Sequence, residues 1–122
     1  MAEELNLLAP AQKSFLDYLR SQKRSISTIL AYGKDIDQLV EFLEAKKITQ
    51  TSTVEPQYLE EFKEGLSKNG YTLKSISRKL NSIKTFFKFL KSQGAIENDP
   101  ASSITHPKYE IGAPRILSKM EY

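Results

Sequence analysis

No cysteine occurs among the 122 residues, so the chain can hold neither a disulfide nor a thiolate-bound metal. Histidine is almost as scarce: His106 is the only one, and Pro107 follows it. One imidazole without a thiol cannot build a transition-metal cluster, and no Ser-His-Asp set can be assembled in a pocket. The glycine-rich phosphate loops G-x-G-x-x-G and G-x-x-x-x-G-K-[ST] are absent as well, which removes any support for nucleotide binding. Glu60, Glu61 and Glu64 read as a solvated helix surface rather than as catalytic carboxylates. These absences predict a chain that needs no cofactor or metal and is not an enzyme on its own.

Long apolar runs are missing too. Nothing approaches the roughly 20 consecutive apolar residues that cross a bilayer, and the first residues lack the basic-then-apolar order of a secretory signal. A soluble, cytoplasmic protein with no membrane partner is expected. The strict apolar/polar alternation of a half-buried strand appears nowhere, so the fold class is predicted to be all-α.

The length suits one domain with a real core and is too short for two of ordinary size. A net charge of +3 and a pI near 9.0 are only mildly basic. The distribution says more. Residues 35–64 hold eight acids and three bases, a local charge of −5, whereas residues 72–93 hold six bases and no acid. A domain polarised in this way can turn one face to a polyanion and keep the other away.

Helical periodicity organises the chain into four segments. The first opens around Pro10, which suits a first turn because its missing N–H costs nothing there; Ala11, Phe15, Leu16 and Leu19 form its buried stripe, with Tyr18 flanking. Residues 1–8 before it read as a leader. Ser25 is a good N-cap for a second helix, with Ile29, Ile36, Leu39, Val40 and Leu43 inward and an end near Lys46. Gly33 interrupts this helix at a cost of about 1 kcal/mol relative to Ala, which predicts close approach of another helix. Thr49–Glu55 reads as a loop. Pro56 opens a third helix, with Tyr58, Leu59, Phe62 and Leu66 inward, and Asn69-Gly70 closes it. Thr72 caps the fourth, which Gly94 ends, and Ala101–Ile104 has the makings of one more helical turn.

The fourth helix organises the rest. Leu73, Ile76, Leu80, Ile83, Phe87 and Leu90 recur at spacings of three and four, one helical face. Lys74, Arg78, Asn81, Ser82, Thr85 and Lys88 stand on the other. Solvated faces usually mix charge signs, since like charges one turn apart oppose each other. An all-positive face with hydroxyl and amide side chains between the charges suits phosphates and base edges. Helices of this composition also lie on membranes or keep a domain soluble, and composition alone leaves these readings open.

Two helix starts share a device, Ser25-x-x-Thr28 and Thr72-x-x-Ser75. The first continues as S-x-x-T-x-x-x-Y-x-x-D-I, ending at Ile36. The second continues as T-x-x-S-x-x-R-x-L-x-x-I-x-x-F-F-x-F-L, ending at Leu90. G-A-I-E-N-D-P (Gly94–Pro100), Pro107-Lys108 and P-R-I-L-S-K-M-E (Pro114–Glu121) follow in order. This run, from about Phe15 to Glu121, resembles the N-terminal core-binding domain of the tyrosine recombinases, the phage integrase family, and is Xer-like.

The resemblance implies a small orthogonal four-helix bundle of SAM-like type with an extended C-terminal linker. It divides the chain into a helical DNA-binding domain, 1–105, and a linker, 106–122, that leads into a catalytic domain. Such a domain forms half of a C-shaped clamp, with its second and fourth helices crossing the major groove near their N-termini. The implied partners are double-stranded DNA and other recombinase protomers in a synaptic complex; the chain alone is expected to be monomeric, and the implied location is cytoplasmic, on the nucleoid. The implied DNA-binding residues are Ser25, Ser27, Thr28, Tyr32, Lys34, Thr72, Lys74, Ser75, Ser77, Arg78, Asn81, Lys84 and Lys88. Ser25 and Thr72 are equally read as simple caps, and Tyr32 as core. The family's catalytic arginines, lysine, H-x-x-R motif and tyrosine nucleophile have no counterpart here: His106 precedes Pro-Lys-Tyr, and Tyr122 is not a nucleophile. Ser118 and Glu121 have the spacing of a capping box. Gly33 departs from the family pattern, which often has a longer polar residue. A helical protein–protein interaction domain is the competing reading.

Overall fold

The computed structural model describes residues 5–104, which form an all-α bundle of four helices. These are α1 (Leu8–Ser21), α2 (Ile26–Ala45), α3 (Pro56–Lys68) and α4 (Leu73–Ser92), with a short 3-10 helix at Thr51–Thr53. α2 packs most extensively on α1 and α4, and α3 closes the bundle against α4 and α2. The readings of residues 105–122, His106, the 118–121 capping box and Tyr122 lie outside the described residues.

Each helix starts and stops for a local reason. Ser25 and Thr72 cap α2 and α4 as their sequences predict, and Pro56 is the first residue of α3. All four helices end in the same turn. The backbone N–H groups of Arg24, Ile48, Tyr71 and Ala95 donate to the carbonyls of Leu19, Leu43, Leu66 and Leu90, five residues back. The residue before each donor has positive φ: Lys23 at 61°, Lys47 at 66°, Gly70 at 88° and Gly94 at 78°. This is the left-handed C-terminal turn that glycine favours, and each leucine that accepts the closing bond is buried in the core.

The core is centred on Phe15. Its ring lies 5.8 Å from Tyr32, 5.4 Å from Phe86 and 5.6 Å from Phe89, so it joins α1 to both α2 and α4. Tyr18 packs at the edge, 4.9 Å from Phe89, as a flanking residue should. Phe86 and Phe89 are buried beside the expected stripe of α4, because its C-terminal half is covered by α1.

Several local expectations are corrected. Leu5 and Leu8, assigned to a leader, are core residues. Leu8 N–H donates to Thr49 O at 2.9 Å, and the buried Thr51 donates from N–H to Asn6 O and from Oγ1 to Leu5 O. That pairing also turns part of the expected 49–55 loop into the 3-10 helix. α1 accordingly begins at Leu8 and makes Pro10 its third residue, still within the first turn, where no N–H has an intrahelical acceptor. Leu16 is half-buried rather than core. It lies over Gly33, where an added Cβ would stand 3.5 Å from Leu16 Cδ1, an ordinary contact. Another helix does approach Gly33, therefore, but its approach leaves room for a methyl group. Residues 101–104 make hydrogen-bonded turns rather than a helix.

On α4 the two faces are less separate than the pattern predicts. Leu73 is 40% exposed, while Ser82, expected on the open face, is 4% exposed and the basic Lys79 is 7% exposed. The reason is a carboxylate that α2 inserts between them.

Candidate nucleic-acid interface

The two helices that begin with hydroxyl caps also carry the polar groove. Thr28 N–H donates to Ser25 Oγ at 3.1 Å, and the two hydroxyls bond at 2.8 Å. Ser75 N–H donates to Thr72 Oγ1 at 3.1 Å, and those hydroxyls bond at 3.1 Å. The S/T-x-x-S/T spacing thus closes a reciprocal cap, with its second hydroxyl at the third helical position. Neither first turn contains an acid, so the partial positive charge of each helix N-terminus is not countered locally.

Asp35 of α2 is 1% exposed and accepts three hydrogen bonds from α4. Arg78 Nη2 reaches its Oδ1 at 2.9 Å, Lys79 Nζ the same oxygen at 3.2 Å, and Ser82 Oγ donates to Oδ2 at 2.7 Å. A buried carboxylate needs such saturation, since desolvating an unpaired charge costs several kcal/mol. Lys79 is also capped by the ring of Tyr71, 5.2 Å from its Nζ. One acid against two bases leaves this node net positive. The Arg78 side chain remains 59% exposed, and a guanidinium has five N–H donors in a planar fork, so its anchored end leaves donors directed to solvent.

Around Arg78 the surface is concave. Thr28, Ala31, Tyr32, Asp35, Arg78, Asn81 and Ser82 line a cleft of about 260 Å³. Ser27, Leu30, Ala31, Lys34 and Arg78 line a second of about 370 Å³. The structure therefore brings together Ser27, Thr28, Tyr32, Lys34, Arg78 and Asn81 from the sequence-predicted set. Lys74 is exposed one turn before Arg78, at a spacing that shares its helix face. Ser25, Thr72 and Ser75 sit in the caps. Tyr32 serves core and cleft at once, being half-buried with its ring edge-on to Phe15.

Three expected residues stand apart from the clefts. At about 100° per residue, Ser77, Lys84 and Lys88 are turned about 80–120° around the α4 axis from Arg78, and none lines either cleft. Ser77 and Lys84 are half-buried there, and Lys88 is exposed.

Asp35, Lys79 and Leu30 are the site residues that sequence reasoning missed, while Ser82, expected on the open polar face, lies buried against Asp35. A signal for the first was present. Asp35 falls seven residues after Thr28, three after Tyr32 and four before Leu39, so it shares a helical column with half-buried and buried neighbours. An acid on such a column requires a donor from a neighbouring helix.

The fold and the groove together define a small helical domain, its polar chemistry concentrated where α2 crosses α4. The chain belongs to the family described as phage integrase, N-terminal SAM-like domain, whose model matches residues 13–94. It is 30% identical over 107 residues to the tyrosine recombinase XerC of Roseiflexus sp. (strain RS-1), across 87% of this chain and 34% of that protein. It is 37% identical over 114 residues to the tyrosine recombinase XerC of Chlorobaculum tepidum, across 88% of this chain and 34% of that protein. The chain thus spans about a third of the length of the curated relatives it matches. In fold it is similar to the N-terminal domain of a phage integrase/site-specific recombinase from Haloarcula marismortui, with a TM-score of 0.76, 15% identity, and coverage of 83% of this chain and 96% of that one. The integrase from mycobacterium phage Brujita aligns with a TM-score of 0.71 and 13% identity, over 87% of this chain and 35% of that one. Among the described residues no helix is long and apolar enough to cross a membrane.

Proposed function

We propose that this chain is the DNA-binding module of a tyrosine recombinase and that it holds duplex DNA through the N-terminal halves of α2 and α4. The observation that carries this reading is the half-exposed guanidinium of Arg78, tied at one end to the buried Asp35 and standing where two clefts meet. A fork held in place loses less freedom when it binds a phosphate or a guanine edge than a free arginine would. Lys34, Lys74 and Asn81 supply further donors, while the hydroxyls and free N–H groups of the two capped starts suit phosphate oxygens.

The rest of the reading follows from family membership and length. Residues 1–105 are the binding domain, and 106–122 link it to a catalytic part of the whole protein, where DNA strands are broken and rejoined. Other recombinase protomers are its partners on the DNA, in the cytoplasm and on the nucleoid.

A salt titration tests the binding. Neutralising some 4–6 phosphates gives a slope of log affinity against log salt of about −4 to −5. The expected result is binding to duplex DNA at low salt that weakens with this steepness. No binding at low salt, or binding indifferent to salt, would sink the reading and favour a protein–protein module.

A further inference from the structure

Ile26 and Leu30 are the two most exposed large hydrophobic residues described, at 77% and 62%. They lie one helical turn apart on α2, and Lys34 lies one turn further along the same ridge. Single exposed aliphatics are ordinary and need no account. Leu30 differs because it lines the cleft with Ser27, Lys34 and Arg78, three side chains that donate hydrogen bonds or carry positive charge. An isobutyl group gains nothing from a phosphate, so its place in a cationic cleft calls for an apolar feature on an anionic partner.

We propose that Leu30, with Ile26 beside it, packs against the 5-methyl groups of thymines in the DNA major groove and gives the module a preference for them. The inference rests on the DNA-binding role proposed above. Base edges in the major groove are donors and acceptors with one exception, the thymine methyl, which is contacted by apolar side chains. The charge around Leu30 suits a polyanion. A stable protein interface, in contrast, buries about 800 Å² on each partner, far more than two aliphatic side chains supply. Arg78 shares the cleft with Leu30 and Asn81 lines the adjoining one, and the hydrogen-bonding groups of these two side chains are the types that read guanine and adenine. Leu30 adds the apolar element that neither of them can provide.

The test compares the 122-residue chain on an A·T-rich duplex with the same duplex in which uracil replaces every thymine, at one low salt concentration. Wild-type affinity is expected to fall about three- to five-fold on the uracil duplex, the effect of one buried methyl. Leu30→Ala should fall by a similar factor on the thymine duplex and should not distinguish the two. Arg78→Ala should weaken binding to both duplexes and keep the wild-type ratio. Equal wild-type affinity for both, or a Leu30→Ala variant that keeps the ratio, overturns the inference while leaving DNA binding intact. Failure to bind either duplex overturns the DNA-binding role itself. Equal affinities together with a self-association that Leu30→Ala abolishes would reassign the ridge to a contact between copies of the chain.

Discussion

Arg78 and Lys79, adjacent in sequence, converge on the same oxygen of Asp35, at 2.9 Å and 3.2 Å. They arrive from different surroundings: the Arg78 side chain is 59% exposed and that of Lys79 only 9%. One carboxylate therefore closes the α2/α4 interface through Lys79 and Ser82 and holds the outward-facing arginine as well. Interface stability and binding geometry meet in this one side chain.

Asp35→Asn should be the more damaging of two changes at the node. It keeps the shape but leaves Lys79 buried without its counter-charge, a loss of about 3 kcal/mol or more for breaking a buried pair. Ser82→Ala removes the hydroxyl that donates to the carboxylate and should cost about 1.5–3 kcal/mol. Denaturant unfolding of both variants decides this. An Asp35→Asn protein within 0.5 kcal/mol of wild type, a change no larger than at an ordinary surface site, would show that the carboxylate contributes nothing to the fold.

Arg78 and Leu80 should separate binding from folding. Arg78→Ala should cost about 1 kcal/mol of stability, because its half-exposed ion pair is lost while Lys79 and Ser82 still satisfy Asp35. DNA affinity should drop by about 1–3 kcal/mol if the fork reaches a base edge, or more modestly and uniformly across sequences if it meets phosphate. Leu80→Ala should cost about 2–5 kcal/mol of stability by opening a cavity and should affect DNA only through unfolding. Thermal melts beside binding at matched salt check both.

The caps admit a substitution that distinguishes holding a helix from holding DNA. Aspartate caps as well as threonine, so Thr72→Asp should leave stability within about 0.5 kcal/mol of wild type. A negative charge at that N-terminus should still weaken DNA binding, and the deficit should shrink as salt rises. Binding unchanged at low salt would make Thr72 a cap and nothing more.

Lys47 carries a positive φ that a side chain rarely adopts. Lys47→Gly should stabilise the domain by about 0.5–1 kcal/mol, a rise in Tm of roughly 2–8 °C for a domain of this size. Gly94→Ala, at φ +78°, should destabilise by about 1 kcal/mol. Calorimetry on the pair tests whether the shared helix-ending turn sets local strain.

Most of the fold was legible in the chain because its signals are local. The hydroxyl caps of α2 and α4, Pro56 and the two glycines after α3 and α4 act within a few residues of themselves. The turns after α1 and α2 were harder to see, since lysine stands where glycine would announce them; the buried leucines that accept their closing bonds were the available cue. The leader was misread because Leu5 and Leu8 are too few to show a period. Their burial depends on Thr49 and Thr51, more than 40 residues away.

By itself, then, the sequence determined the four helices, the ends marked by hydroxyl caps, proline and glycine, and the absence of cysteine chemistry, all consequences of spacing and composition. Only the tertiary structure decided which polar residues face outward on α4. Periodicity places side chains around one helix axis, but what covers them depends on the neighbouring helix. Asp35 turned Ser82, expected on the open face, and the basic Lys79 into buried partners. The same crossing of α2 over α4 set Ser27, Leu30 and Lys34 beside Arg78, and no spacing along the chain could have put them there.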